Sequence, residues 1–293
     1  MFNGSIVALV TPFDKAGGID FPALQKLVDL HLGRGTSGLV IAGTTGESVS
    51  LAPDEFCDIL DRVVEQVAGR IPVIAGTGSA STVRAIEQTR LAAVHRADAV
   101  LVVTPYYNRP VQRGLEAHYR AVADVSDVPV ILYNVPGRTG VDLLPETVQK
   151  LAGHDQIAGI KEAVAGSQRI DELRDRCGEE FCILSGDDYS CLEAMKHGAR
   201  GVVSVAANVI PAEMAALCTA AAEQRWADAN ALNEKLNALF DILMIESNPI
   251  PVKWALFEMN LLGPQIRLPM TMLGEAYREP LRQCLRKYEL ISA

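Results

Sequence analysis

The 293-residue chain lacks a long apolar run, an excess of basic residues and a closely spaced cysteine pair. No apolar stretch approaches the ~20 residues that a membrane-spanning helix needs, so we expect no membrane segment. The formal net charge is -9 and basic clusters are missing, which argues against nucleic acid or an anionic membrane as a partner. The amino-terminal segment has neither a basic head nor a small-residue cleavage site, so the pattern indicates no signal peptide.

Cofactor and metal motifs are equally scarce. The six cysteines include no C-x-x-C pair, and the five histidines show no ligand spacing. Several cysteines lie in apolar segments, as is typical of packed, reduced thiols in a cytoplasmic protein. The segment 76–81 lacks the third glycine of a dinucleotide fingerprint, and a phosphate-binding G-x-x-x-x-G-K-[ST] loop is missing. We therefore expect a cytoplasmic location and neither a metal nor a nucleotide cofactor.

What the sequence does contain is a regular alternation of short apolar runs and longer amphipathic segments. With 49% hydrophobic residues, the chain can form a large core. Strands are predicted at Ser5–Val10, Ser37–Ala42, Pro72–Gly76, Ala99–Thr104, Val128–Tyr133, Ile157–Lys161, Phe181–Leu184 and Gly201–Val205. Helices are predicted between them at 21–33, 54–68, 81–95, 112–124, 145–152, 167–177, 189–197 and 211–223.

Eight strand–helix units predict an α/β protein with a parallel sheet covered by helices. Their number favours a closed (β/α)8 TIM barrel over the runner-up, an open doubly wound sheet. Three further helices are predicted at 226–245, 251–261 and 273–289, separated by proline and glycine breaks. We expect a barrel over residues 1–224, which carries the active site, and a C-terminal three-helix appendage over 225–293.

A lysine closes the sixth predicted strand. Desolvating an ammonium group is costly, so Lys161 at the end of the apolar run from Ile157 needs an explanation. The strand could simply end there, with the side chain reaching toward water. Alternatively, Lys161 is held as a neutral amine nucleophile that forms a Schiff base with a carbonyl compound.

The carboxyl ends of barrel strands meet on one face, whatever their separation in sequence. Hydroxyls, phenols, an arginine and a lysine therefore gather at one mouth. The segments that bring them there are Gly43–Ser48, Thr104–Asn108, Tyr133–Gly140, Lys161, Ser185–Asp188 and Ser204.

Each of these groups has a structural and a chemical interpretation. The Gly43–Ser48 segment is either a glycine turn or a set of amides and hydroxyls that holds a carboxylate. Tyr133 is a packing residue or a proton shuttle, and Arg138 is solvated or a bidentate carboxylate clamp. Asp187 and Asp188 could suggest a metal, but no matching cluster accompanies them, so we interpret them as turn and helix-cap residues.

The strand-end motifs resemble those of the dihydrodipicolinate synthase (4-hydroxy-tetrahydrodipicolinate synthase) family, within the pyruvate-dependent class I aldolase and N-acetylneuraminate lyase superfamily. The resemblance spans the chain essentially end to end. Ala163, where the lyase usually has threonine, and Arg138 both resemble the synthase pattern. The matching motifs are Gly43–Ser48, Tyr106–Pro110, Tyr133–Gly140, Gly159–Ala163 and Asn248–Lys253.

The resemblance implies a lyase that condenses pyruvate with aspartate 4-semialdehyde, the first committed step of diaminopimelate and lysine biosynthesis. A sister aldolase or lyase that uses another aldehyde is the alternative, and a non-catalytic carboxylate-binding barrel is a further one. Lys161 would form a covalent imine with pyruvate, so no cofactor is implied. The other implied catalytic residues are Tyr133, Thr44 and Tyr107, and the implied substrate-binding residues are Thr45, Arg138, Gly186 and Val203.

The resemblance also implies a homo-oligomer, a dimer that is often doubled into a tetramer, in which a neighbouring subunit donates Tyr107. Two adjacent phenols on a loop likewise favour a subunit contact. Lysine-inhibited members of the family carry a feedback site at the dimer interface. This chain departs from that site at four positions, so we expect weak or absent inhibition by lysine. Those positions are Pro53, Phe56, Ala80 and Arg84.

Overall fold

A closed barrel of eight parallel strands forms the centre of the protein, in a computed structural model that describes residues 2–292. The strands follow one another around the barrel in chain order, and β8 pairs with β1. Their bounds are β1 Gly4–Ala8, β2 Gly38–Ile41, β3 Val73–Gly76, β4 Ala99–Val103, β5 Val130–Asn134, β6 Ile157–Glu162, β7 Cys182–Ser185 and β8 Gly201–Ser204.

Helices surround the barrel and continue beyond it. The first nine are α1 Phe21–Leu32, α2 Pro53–Val67, α3 Thr82–Val94, α4 Gln112–Ala123, α5 Pro136–Thr139, α6 Pro145–Ala152, α7 Ser167–Cys177, α8 Cys191–Lys196 and α9 Pro211–Ala222. Three more follow β8 and α9, namely α10 Trp226–Leu243, α11 Ile250–Glu258 and α12 Glu275–Lys287. Short 3-10 turns lie at Ser48–Ser50 and Ala206–Asn208.

Local sequence signals explain where the helices begin. The Asp20 carboxylate accepts a hydrogen bond from the Ala23 amide at 3.0 Å, so it satisfies one of the free N–H groups of α1. Proline occupies the first position of α2 and of α6, where its missing N–H costs nothing. Glu55 in the first turn of α2 reaches back to the Ala52 amide at 2.9 Å.

Alternating side chains produce two core layers. One fills the barrel interior with Ile6, Val40, Ile74, Leu101, Ile131, Leu184, Val203 and their neighbours. The larger layer lies between the outer face of the sheet and the helices, and it includes Val7, Leu39, Val100, Leu132 and Ile160. Strand residues that are one position apart therefore face different layers.

The barrel prediction is confirmed, and the open doubly wound sheet is excluded by the closing β1–β8 pair. Each predicted strand is present, with ends that differ by at most two residues. The sequence did not predict α5 or the two 3-10 turns, which are too short to show a periodicity. The division into residues 1–224 and 225–293 remains a prediction. No helix in residues 2–292 is long and apolar enough to cross a membrane.

Candidate active site

A cavity of about 580 Å³ opens at the carboxyl ends of the strands. Most of the side chains predicted for the site line it. They are Thr44, Thr45, Tyr133, Arg138, Lys161 and Gly186. Residues of the C-terminal helices close its outer side, among them Phe240, Asp241, Leu243, Met244 and Asn248.

Lys161 and Tyr133 are the innermost reactive pair of this cavity. They are direct partners in the β5–β6 register, so both side chains point into the barrel from neighbouring strands. The Lys161 Nζ atom lies 4.1 Å from the centroid of the Tyr133 ring. Only 6% of Lys161 and 7% of Tyr133 is exposed, so the amine is enclosed and does not extend into bulk water. The phenol side chain therefore packs directly against the amine inside the cavity.

Small residues make room for the pair. An added Cβ at Gly159 would come within 2.2 Å of the Cys182 carbonyl oxygen, so β6 and β7 approach closely beneath Lys161. Gly186, at the end of β7, would meet the Ala163 side chain at 2.8 Å. Its amide also donates to the Glu162 carbonyl oxygen at 2.7 Å, which joins the two strands at the mouth.

The loop after β2 presents Thr44 and Thr45 to the cavity and is fixed from several sides. Thr11 donates its hydroxyl to the Gly46 carbonyl oxygen at 2.7 Å. The side-chain amide of Asn248 donates to the Thr45 hydroxyl oxygen at 2.9 Å. Glu47 is buried with a φ of 56°, a left-handed conformation that a non-glycine residue adopts only when its surroundings hold it.

Arg138 reaches the cavity from α5, the single helical turn that follows β5. Its Nη2 atom donates to the Asn248 carbonyl oxygen at 3.2 Å. The rest of the guanidinium remains available to a ligand in the cavity. The cavity therefore carries a cation at its outer end and an amine at its inner end.

Two predicted site residues lie elsewhere. Tyr107 is 93% exposed, has a φ of 71° and does not line this cavity. The loop that carries it is held by Asn108, which donates to the Ala80 carbonyl oxygen at 2.8 Å. Val203 is buried in the barrel interior and is not among the residues that line the cavity. The roles of both residues remain predictions.

The two adjacent aspartates behave differently from one another. Asp187 forms the turn before α8, since its carboxylate accepts from the Ser190 amide at 2.8 Å, but Ser190 is the capping residue and no side chain caps this helix, so only the turn prediction holds. Asp188 does not cap α8. It accepts from the amides of Val205 and Ala206 at 3.0 and 2.8 Å and so joins β7 to the end of β8. Burial raises the pKa of Asp188 to about 6.

Sequence reasoning assigned no role to Asn248, which contacts both Thr45 and Arg138. The only signal was its place in the Asn248–Lys253 motif. It also missed Lys253, whose Nζ lies 2.5 Å from the Glu47 carboxylate. Lys253 lies in α11 and Asn248 just before it, so strand ends alone could not indicate them. Among residues 2–292, no group of three or more His, Cys, Asp or Glu side chains is arranged to hold a metal ion.

The fold and the cavity together define a class: a (β/α)8-barrel lyase with an amine and a phenol at the carboxyl ends of its strands. Residues 1–288 match the Dihydrodipicolinate synthetase family, and the chain belongs to that family.

Individual relatives agree with this assignment. The 4-hydroxy-tetrahydrodipicolinate synthase of Ectopseudomonas mendocina is 54% identical over 287 residues, which is 98% of each chain. The corresponding protein of Pseudomonas aeruginosa is 52% identical over the same shares. A crystal structure of chloride-inhibited dihydrodipicolinate synthase from Acinetobacter baumannii, complexed with pyruvate, is 47% identical and superposes with a TM-score of 0.98. The superposition covers 99% of this chain and 100% of the Acinetobacter chain.

Proposed function

We propose that this protein condenses pyruvate with L-aspartate 4-semialdehyde to 4-hydroxy-tetrahydrodipicolinate, the first committed step toward diaminopimelate and lysine. The family and the near full-length similarity to such synthases support this activity. The observation that carries the chemistry is the enclosed Lys161 amine beside the Tyr133 ring at the carboxyl mouth of the barrel.

The first step is attack of the Lys161 Nζ lone pair on the ketone carbon of pyruvate. A C–N bond forms, the carbonyl oxygen takes up a proton, and loss of water leaves an imine. Tyr133 gives and takes the protons of these steps, because its side chain packs directly against the lysine. The protein's own amine is thus the covalent catalyst.

The imine draws electrons from the adjacent methyl group, which loses a proton and becomes a nucleophilic carbon. This carbon forms a C–C bond with the aldehyde carbon of the second substrate. The amino group of that substrate then attacks the imine carbon, closes a six-membered ring and expels the Lys161 amine for the next turnover. Each bond made to the enzyme is therefore broken within one cycle.

Two groups receive the carboxylates of the substrates. Thr45 and the amides near it hold the pyruvate carboxylate close to the innermost part of the cavity. Arg138 receives the carboxylate of the semialdehyde at the outer end. The absent Cβ of Gly186 leaves space at the mouth, and Val203 forms part of the floor below it.

Thr44 relays protons between Tyr133 and a Tyr107 that a second subunit donates. The exposure of Tyr107 and its left-handed backbone support this role, since a strained phenol held outward is poorly suited to a monomer surface. The active unit is accordingly at least a dimer, and we propose that two dimers form a tetramer.

Reduction by borohydride tests the central step. With pyruvate present, borohydride should convert the imine to a stable secondary amine, abolish activity and add mass to the peptide that contains Lys161. Lys161→Ala should prevent the labelling, and Lys161→Arg should not restore turnover because a guanidinium stays protonated. Labelling at a different lysine would refute the nucleophile assignment. Preference for another aldehyde in a substrate panel would favour a sister lyase.

A further inference from the structure

A buried cluster of polar side chains lies directly behind the active-site pair, on the outer side of β5 and β6. Side chains alternate across a strand, so Asn134 and Glu162 point away from the interior that Tyr133 and Lys161 face. Asn134 and Glu162 are also direct partners in the strand register. Both are almost fully buried, in a layer that is otherwise apolar. A carboxylate there is costly unless several donors reach it.

Three donors reach the Glu162 carboxylate. The Asn134 side-chain amide lies 3.0 and 3.1 Å from its two oxygens, and the Val164 amide donates at 2.8 Å. The Arg169 guanidinium of α7 lies 3.4 Å away. Burial raises the pKa of Glu162 to about 7, although these donors oppose the rise. The donors therefore offset only part of the cost of burying this carboxyl group.

The same cluster extends to the segment that follows Arg138. Asn134 donates to the Asp142 carboxylate at 2.7 Å and accepts from the Leu143 amide at 2.9 Å. Together with the bond to Glu162, both the amide nitrogen and the carbonyl oxygen of Asn134 form hydrogen bonds. Arg169 binds both oxygens of Asp142, at 3.0 and 2.7 Å. We call Asn134, Asp142, Glu162 and Arg169 the β5–β6 lock.

We propose that the β5–β6 lock positions the active site: it fixes Tyr133 beside Lys161 and orients the Arg138 turn, and Glu162 and Asn134 are positioning residues of the reaction. This inference rests on the proposed function. Each lock residue on a strand is the immediate neighbour of a catalytic residue, so a shift of its backbone moves that residue directly. The backbones of β5 and β6 pair from Val130 to Asn134, and the Ala163 amide adds a bond to the Asn134 carbonyl oxygen at 3.0 Å, so the lock adds side-chain bonds to the end of a paired ladder.

The lock also bears on the register in which β5 pairs with β6. The register of these strands shifts between Val130 and Ile131, which leaves an irregularity below the reactive pair. Slippage of β6 by one residue against β5 would turn Lys161 out of the barrel and away from Tyr133, because side chains alternate with a period of two. The side-chain bonds between Asn134 and Glu162 lie above the irregularity and favour the one productive register.

Glu162→Gln tests whether Glu162 positions the active site. The substitution keeps the size of the side chain but removes its negative charge, which faces Arg169. It also places amide hydrogens against the side-chain amide of Asn134. A misplacement of about 1 Å costs on the order of 10²-fold in rate, so we expect kcat to fall by about ten- to a hundredfold. The KM for pyruvate should change by less than about threefold, because binding groups are retained. Glu162→Asp, which keeps the charge, should restore part of the rate.

Glu258→Gln is the matched control, since it removes an arginine partner, Arg282 at 2.9 Å, outside the cavity. It should lower the unfolding midpoint without changing kcat. If Glu162→Gln fails to fold, Asp142→Asn at the more exposed end of the lock should still show a smaller loss of kcat. Unchanged kcat in a folded Glu162→Gln, or in Asp142→Asn when Glu162→Gln does not fold, would overturn the proposal.

Two measurements separate this inference from the proposed function. Borohydride trapping at Lys161 in the unmodified protein reports on the function, and its absence would refute the function itself. Hydrogen exchange at the Ala163 amide reports on the lock without any substrate. We expect faster exchange there in Glu162→Gln than in Glu258→Gln, and equal exchange in the two variants would contradict the lock even if the imine forms.

Discussion

At the scale of single residues, Tyr133 combines two roles that a conservative substitution can separate. Its ring packs 4.1 Å from the Lys161 amine, and its hydroxyl supplies the proton chemistry that we propose. Phenylalanine keeps the ring and removes only the hydroxyl. The protein should therefore fold normally without it, while the steps that need an acid or a base become slow.

We predict that Tyr133→Phe lowers kcat by ~10²- to 10⁴-fold, the usual contribution of a general acid or base. The matched control is Tyr119→Phe, because Tyr119 is a buried tyrosine outside the cavity whose hydroxyl donates to the Val102 carbonyl oxygen at 3.2 Å. That control should lose only about 1 kcal/mol of stability and keep its rate. Steady-state kinetics of both variants measure kcat, and a loss below tenfold in Tyr133→Phe would contradict a role for Tyr133 as a proton shuttle.

Two buried histidines should make the fold sensitive to acid. Burial lowers the pKa of His31 and of His118 to about 4, and each ring accepts or donates one hydrogen bond to a threonine hydroxyl at 2.9 Å. The unfolded chain takes up protons on these rings near pH 6.5, but the folded protein does not. These two rings therefore contribute stability that is fully present above pH 6.5 and is lost as the pH drops toward 4, whereas the raised pKa values of Glu162 and Asp188 act in the opposite sense.

The loss between those pH values amounts to up to about 3 kcal/mol for each histidine. Urea unfolding at pH 7 and pH 5 should detect roughly 2 kcal/mol of it for each histidine, because the folded rings take up protons only near pH 4. Each histidine's contribution is the difference between the unmodified protein and His31→Gln or His118→Gln, and the double variant should differ by the sum of the two. If the variants lose as much stability as the unmodified protein between these pH values, the rings make no such contribution.

At the scale of secondary-structure elements, the helices after the barrel build part of the active site. The Lys253 amine of α11 lies 2.5 Å from the Glu47 carboxylate and donates to the Thr11 carbonyl oxygen at 2.9 Å. Both side chains of this ion pair are buried. Asn248, just before α11, contacts Thr45 in the same loop. The C-terminal segment therefore holds the loop that we propose receives the pyruvate carboxylate.

We predict that Lys253→Met destabilises the protein by about 3–5 kcal/mol, because it leaves the Glu47 carboxylate buried without a cation. It should also raise the KM for pyruvate, since the Thr44–Thr45 loop loses its support. Adding Glu47→Gln removes the unpaired charge and should recover much of the stability. Urea unfolding of the single and double variants tests this, and equal stability of Lys253→Met and the unmodified protein would contradict it.

The elements also show how far the sequence can predict this protein. Eight apolar runs separated by amphipathic segments were enough for the barrel, and barrel geometry then brought Lys161, Tyr133 and Arg138 to one mouth. The contacts of Asn248 and Lys253 were not predictable in this way. They depend on how helices beyond the barrel pack onto it, and no periodicity encodes that packing.

At the scale of the whole molecule, the position of Tyr107 bears on assembly. The phenol points away from its own cavity, so its proposed role requires that each active site combine Lys161 from one subunit with Tyr107 from another. A closed symmetric dimer has two such shared sites. Two inactive variants can then complement each other when they are mixed.

We predict that Tyr107→Phe and Lys161→Ala, each nearly inactive alone, regain roughly a quarter of normal activity when refolded together in equal amounts. Half of random dimers are mixed, and each mixed dimer has one intact site of its two. Mixing Tyr133→Phe with Lys161→Ala is the control and should give no recovery, because both residues belong to one subunit's site. Absence of recovery in the first mixture would place Tyr107 outside the shared relay.

A second cavity, of about 850 Å³, contains Pro53, Phe56 and Arg84, three of the four positions at which the sequence departs from the family's lysine site. Lysine carries two ammonium groups and one carboxylate, so a site for it needs acceptors and negative partners. This cavity is lined by two arginines, Arg84 and Arg90, against a single carboxylate, Glu87. Pro53 and Phe56, which also line it, offer no side-chain acceptor. The electrostatic balance therefore disfavours a ligand with two ammonium groups and a net charge of +1.

We predict that millimolar lysine leaves the enzyme essentially uninhibited. Each missing charge-assisted hydrogen bond costs ~1.5–3 kcal/mol, and the repulsion from Arg84 adds to that, so affinity should fall by well over a hundredfold at ~1.4 kcal/mol per tenfold. A lysine titration of the coupled assay measures this, with Arg84→Glu as the matched variant. Reversing the charge at residue 84 should make lysine a better inhibitor, because the ammonium group gains a partner. Clear inhibition of the unmodified protein below about 1 mM lysine would mean that Glu87 and Tyr106 bind lysine despite the two arginines.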